Sequence, residues 1–139
     1  MFKTLRAVPM DKRLEFPVAE DCQMGFCIGA ALAGDLPICI FPRFNFLLLA
    51  ISQLVLHLDK LPLMCSAQPR VIIRTAVATD DPLDPGPQHV GDFTDAFRSM
   101  LLSVAVVRLT TAALIVPCYE QALRRDGSTI LVEFSRLYA

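Results

Sequence analysis

Four short apolar runs, Pro37 to Phe41, Val71 to Ile73, Val104 to Val107 and Thr129 to Phe134, constrain this chain more than any other feature. None alternates between apolar and polar residues, so each reads as a strand buried on both faces. Between them lie segments long enough for helices: Cys22 to Ala33, Phe44 to about Lys60, Asp92 to about Leu101, and a last one ending near Arg125. Strands buried on both sides and separated by helices imply an α/β fold, three layers deep, with an open, mostly parallel sheet and helices on both faces. Leu14 to Val18, where Leu14, Phe16 and Val18 alternate with other residues, reads as a further strand leading towards Glu20.

The punctuation agrees with this pattern. Gly34 follows the first helical segment, where a glycine can take the left-handed conformation that ends a helix. Asp126-Gly127 closes the last one, with Arg124 and Arg125 near its negative dipole end. The stretch from Asp80 to His89 holds three prolines and a glycine and reads as a loop. Pro117 falls inside the last helical pattern, where a proline costs about 3 kcal/mol unless the helix starts there. Phe44 to Lys60 is apolar on nearly every side, so as a helix it should be buried between layers or at a subunit interface, and His57 within it reads as a core or interface histidine.

Composition narrows the functional classes. With 139 residues, one domain is expected: residues 13–139 as the folded unit and residues 1–12 as an arm with little pattern. Thirteen basic and fourteen acidic side chains give a formal charge of −1, so there is no electrostatic footprint for nucleic acid or an anionic membrane. Neither long apolar tract suits a membrane span: Phe44 to Leu58 is short and polar in places, and Met100 to Tyr119 contains Arg108 and Pro117. Five cysteines, odd in number and without a C-x-x-C pair, argue against a disulfide scaffold or zinc site and for a reducing, cytoplasmic setting. The apolar fraction of 54% exceeds what one core of this size needs and points to an oligomer.

Glu20 stands where an apolar stretch meets a segment rich in small residues, a position that places a carboxylate at the tip of a sheet. Read from its residues alone, it is also an ordinary acid complementing a helix dipole. His89 alone reads as a solvated loop histidine, and Arg74, ending a buried strand, reads as the partner of Asp80 or Asp81 rather than of a substrate carboxylate.

The motifs Pro17 to Glu20, Gly25 to Gly34, Pro37 to Phe41, Phe44 to Phe46, Ala50 to Gln53, Gln88-His89 and Ile130 to Glu133 follow one another in register. Together they resemble the pyrimidine-binding domain of transketolase-like, thiamine-diphosphate-dependent enzymes, and most of all the beta subunit of pyruvate and branched-chain 2-oxo-acid dehydrogenases. The resemblance runs from about Arg13 to the carboxyl end. It implies that Glu20 hydrogen-bonds a ring nitrogen of the cofactor's aminopyrimidine and so promotes proton loss from the thiazolium carbon. It implies that Phe46 stacks on that ring, while Phe44 is core, and that His89 lies near the substrate and acyl-transfer channel, where an imidazole can shuttle protons.

The departures are as informative. The family has a helix and strand ahead of the P-x-x-E strand and a further domain after the last strand, so the resemblance implies a domain truncated at its amino end. No G-D-G motif occurs; Gly34-Asp35 and Gly91-Asp92 each lack the next glycine. In the family that motif holds magnesium and the diphosphate. The resemblance therefore implies a pyrimidine-side subunit or fragment of an enzyme acting on 2-oxo acids by oxidative decarboxylation and acyl transfer. It would be inactive alone and need a diphosphate-binding-domain subunit that carries Mg2+. The alternative is a catalytically inactive relic or regulatory interaction protein that keeps the fold.

Overall fold

The computed structural model describes residues 5–79 and 84–138. Its elements in chain order are α1 (Glu20–Leu32), β1 (Ile38–Phe41), α2 (Phe44–Leu47), α3 (Leu61–Met64), β2 (Ile72–Val77), α4 (Thr94–Met100), β3 (Ala105–Arg108), α5 (Ala112–Arg124) and β4 (Thr129–Phe134). Single turns of 3-10 helix lie at Met10–Lys12, Leu48–Ala50, Pro87–His89 and Ser135–Tyr138.

The strands form one sheet in the order β1-β2-β4-β3, and every pairing is parallel. Ile38 pairs with Ile72, Ile72 with Thr129, and Ala105 with Thr129, so the strand starts lie in one row. Successive residues of β2 and β4 point to opposite faces. Ile73, Ile130 and Val132 face a large core with Met24 and Ile28 of α1, Phe44 and Leu47 of α2, and Phe97 of α4. Ile72 and Leu131 face the other way, onto Leu109 and Ala122, with Ile115 and Tyr119 of α5 packed against them. The α/β fold with an open parallel sheet and helices on both faces is thus present, and it explains why the strand sequences show no alternation.

Three sequence expectations are corrected. Residues 14–18 do not join the sheet: Leu14 and Val18 are 71% and 96% exposed, and β1 hydrogen-bonds only β2. Alternation marks a chain that could lie half-buried on a sheet edge, but no described strand accepts it. The long helix expected from Phe44 to Lys60 is instead a broken run. A π-helical segment spans Gln53–Leu58, and Phe44–Ala50 meets Gln53–Met64 at 62°. Of the two settings expected for this run, the single chain does not provide burial between layers: Phe44, Leu47, Ala50, Leu54 and Leu58 form its inner face, whereas Leu49 and Leu56 are 62% and 60% exposed. His57 is exposed too, not a core residue. No single helix among the described residues is long and apolar enough to cross a membrane.

Gly34 behaves as its position suggests. With φ +102° it turns the chain out of α1, while its N–H donates to the Ala31 carbonyl and that of Asp35 to Ala30. Helix α5 runs through Pro117, which cannot donate a main-chain hydrogen bond to the preceding turn. Ahead of the sheet, Nε of Arg13 donates to the Val8 carbonyl at 2.7 Å and folds residues 8–13 back on themselves.

Candidate functional site

Glu20 is the first residue of α1, not the last of a strand, and is half-buried. The next residue fixes the helix end beneath it. Asp21 accepts hydrogen bonds from Ser52 Oγ at 2.9 Å and Gln53 Nε2 at 3.2 Å, tying α1 to the π-helical segment. The Gln53 side chain also passes over Gly25, where a Cβ would stand 3.6 Å from it, an ordinary contact distance. A carboxylate in the first turn also complements the helix dipole.

The residues before α1, though unpaired, have a place in the structure. Phe16, Pro17, Val18 and Ala19 lie across from Ile40, Phe41 and Pro42 at the carboxyl end of β1, and together with Glu20, Gln23 and Phe46 they line a pocket of about 250 Å³. Its walls are apolar except for Glu20 and Gln23. Phe16 is braced by Phe26, with ring centroids 5.0 Å apart. The pocket lies at the carboxyl end of a parallel strand, the general location of ligand sites in open α/β sheets.

Phe46 enters the pocket from α2, whereas Phe44 does not. Phe44 is fully buried against Phe93 and Phe97, at centroid distances of 5.5 and 5.3 Å, and anchors the turn that presents its neighbour. Phe46 also touches His89, with centroids 5.8 Å apart and rings inclined by 62°. His89 reaches this point from the turn Pro87–His89, entered at Gly86 with φ +78°, and its Nδ1 lies 3.0 Å from Oδ1 of Asn45. The fold therefore gathers the three residues singled out in the sequence: Glu20 and Phe46 share one pocket, and His89 lies behind Phe46.

Two polar residues at the site escaped the sequence reading. Gln23 is one turn after Glu20 on the same helix face, and its Nε2 donates to the Ile40 carbonyl at 3.0 Å and to Cys39 Sγ at 3.3 Å. Its i, i+3 spacing from Glu20 was the available signal. Asn45 stands as the one amide between two phenylalanines, a polar residue where packing alone would favour an apolar one.

Arg74 is not part of this pocket; among the described residues it pairs with Glu133, and Asp80 and Asp81, the partners expected from the sequence, lie outside the described residues. The guanidinium binds the carboxylate in bidentate fashion across the sheet, Nε to Oε1 at 2.8 Å and Nη2 to Oε2 at 2.9 Å. Tyr119 donates to the same carboxylate at 2.6 Å, as does Tyr138. Among the described residues, no group of three or more His, Cys, Asp or Glu side chains is arranged to hold a metal ion.

No family model matches the chain. The chain is similar to the mitochondrial pyruvate dehydrogenase E1 component subunit beta of Caenorhabditis elegans, with 30% identity over 129 residues. The alignment takes in 92% of this chain but 36% of that protein, so the chain spans about a third of its relative's length. The similarity is that of a distant homologue to one portion of a dehydrogenase subunit.

Proposed function

We propose that this chain supplies the pyrimidine side of a thiamine-diphosphate site in an enzyme acting on 2-oxo acids, and that a second chain completes the site. The observation that carries this reading is the shared pocket: a carboxyl group, Glu20, and an aromatic ring, Phe46, line one apolar cavity at a strand end. The residues present fit the group. A cavity of about 250 Å³ with apolar walls suits a flat heteroaromatic ring, Phe46 offers a face to stack on, and Glu20 offers a proton to a ring nitrogen. The distant likeness to a pyruvate dehydrogenase subunit supports the substrate class and the need for a partner subunit.

When bound, thiamine diphosphate supplies a nucleophilic carbon and an electron sink for the carbanion left by decarboxylation. The chain's own residues hold and shield. Phe16 and Ile40 give the pocket an apolar lining beside Glu20, which strengthens the hydrogen bond Glu20 makes. Gln23 is held by the Ile40 carbonyl and keeps the wall in place. His89, beyond Phe46, carries protons for acyl transfer. We assign magnesium and the diphosphate to the partner on the sequence, in which the G-D-G motif does not occur. Five free cysteines suit a reducing compartment, and we place the assembly in the cytoplasm.

The test uses the chain co-expressed with a candidate diphosphate-domain chain. Glu20→Gln keeps the shape of the side chain but not its acidic proton. Proton–deuterium exchange at the thiazolium carbon should slow by about 10²–10⁴-fold, the usual worth of a general acid or base, while cofactor still binds. Exchange as fast as in the parent complex, with cofactor bound, would make Glu20 a helix-end acid and sink the reading.

A further inference from the structure

The contact between Asn45 and His89 decides which nitrogen of the imidazole can do chemistry. Oδ1 of Asn45 lies 3.0 Å from Nδ1 of His89. A side-chain carbonyl oxygen has no proton to give, so in this contact Nδ1 must carry the hydrogen and donate it. The neutral ring then has its lone pair on Nε2, because the hydrogen bond made by one ring nitrogen sets the state of the other. We propose that Asn45 is a positioning residue that holds His89 in the Nδ1–H tautomer and leaves Nε2 as the proton-accepting atom.

Both partners are fixed well enough for this. Asn45 sits on the turn of α2 directly after Phe44, which is fully buried between Phe93 and Phe97. The Phe46 N–H closes that turn on the Arg43 carbonyl at 3.1 Å. On the other side, the His89 N–H donates to the Gly86 carbonyl at 3.2 Å, and the Gly86 N–H to Asp84 Oδ1 at 2.8 Å. The edge contact with Phe46 limits rotation of the imidazole. A neutral amide acceptor has a further property. Nδ1–H goes on donating to Oδ1 whether or not Nε2 is protonated, so a proton can arrive at and leave Nε2 without any rearrangement behind it.

The catalytic consequence rests on the role given to His89 above, but the tautomer does not, and the experiment separates the two. The full chain labelled with 15N at its two histidines, His57 and His89, is read by long-range proton–nitrogen NMR at a pH where the imidazoles are neutral. Exposed His57 supplies the internal comparison and should show the Nε2–H form that free histidine prefers. His89 should show the opposite pattern, with the hydrogen on Nδ1. Asn45→Leu should return His89 to the Nε2–H form, and Asn45→Asp, which keeps an oxygen in the same place, should retain Nδ1–H. An Nε2–H signal for His89 in the parent chain overturns the proposal even if no variant folds, as does an unchanged tautomer in a folded Asn45→Leu chain. In the reconstituted complex, Asn45→Leu should slow acyl transfer and leave proton exchange at the thiazolium carbon unchanged. A tautomer shift without slower acyl transfer overturns the role of His89 and leaves the positioning role of Asn45 standing.

Discussion

Glu133 shows how a single residue can hold several layers together. It is 2% exposed in the middle of the sheet, yet charged, and its carboxylate is shared by Arg74 of β2, Tyr119 of α5 and Tyr138 of the turn after β4. Burial alone would push its pKa up, but the hydrogen bonds from Arg74 and the two tyrosines outweigh it and bring the carboxyl below its ordinary range near 4.5. A carboxyl lowered on folding stabilises the protein above its unfolded pKa and loses that contribution as the pH falls through the folded value. In Arg74→Met the sign reverses, because the stranded carboxylate keeps the burial and loses its main partner. At pH 7 that variant should be less stable by about 3–5 kcal/mol, the usual cost of breaking a buried pair from one side. Urea unfolding should show the gap between parent and variant narrowing as the pH falls from 7, first above about pH 4.5 as the variant's raised carboxyl takes up a proton, then below it as the parent's does. A gap that stays the same at every pH would mean that Arg74 contributes packing and not charge.

At the scale of elements, Asp59 joins two distant parts of the chain. It follows the π-helical segment, is almost wholly buried, and accepts the main-chain N–H groups of Leu102 at 2.8 Å and Ser103 at 2.7 Å, together with Ser103 Oγ at 3.0 Å. The chain leading into β3 is thereby fixed to the helical layer. Burial opposes the charge, while Lys60, 2.7 Å away, and the donors of Ser103 and Leu102 favour it and lower the pKa overall. Asp59→Ala should cost about 1–3 kcal/mol for each buried donor left without a partner, and Asp59→Asn less, since its carbonyl can still accept. Thermal unfolding of the two variants measures this; equal melting temperatures would contradict it.

The same scale shows what could be read in advance. β1, β2, β3 and β4 were legible within a few residues because a sheet buried on both faces demands continuous apolar runs, and these runs have no other use. Residues 14–18 were not, since alternation describes a chain suited to a sheet edge but says nothing of whether an edge will take it. The break after Ala50 was hidden for a similar reason: an all-apolar segment carries no stripe to betray a change in helical pitch. Glu20 and Phe46 stood out through the motifs around them, and the fold lines one pocket with both. Asn45 acquires its meaning only when the turn at Pro87–His89 is brought against it, which no local pattern announces. The pairing of Arg74 with Glu133 was hidden because the two are far apart in sequence and meet only when β2 and β4 lie side by side.

For the molecule as a whole, the outer face of the broken helical run leaves much apolar surface in solvent. Leu49, Leu56, Leu63 and Met64 are exposed, as are Phe26 and Leu32 of α1. Exposed apolar patches of this kind mark association surfaces. The chain should therefore associate in solution, through an interface of at least the standard size of about 1,600 Å² in total. Light scattering after size exclusion checks this, with Leu49→Glu and Leu56→Glu expected to yield smaller species without lowering the melting temperature. A monodisperse, cooperatively folding monomer at high concentration would contradict it.

The strand order has a consequence for synthesis. Of the four described strands β4 comes last in the chain, yet it lies inside the sheet between β2 and β3. Until Phe134 has left the ribosome, β3 has no neighbour to pair with, β2 lacks one of its two, and Arg74 has no Glu133 to meet. Nascent chain up to Ser128 can assemble little more than the β1–β2 pair and the helices on one side of it. The central strand is delivered last of the four, so the apolar strands made before it stay exposed until it emerges, and the nascent segment is a natural client for chaperones.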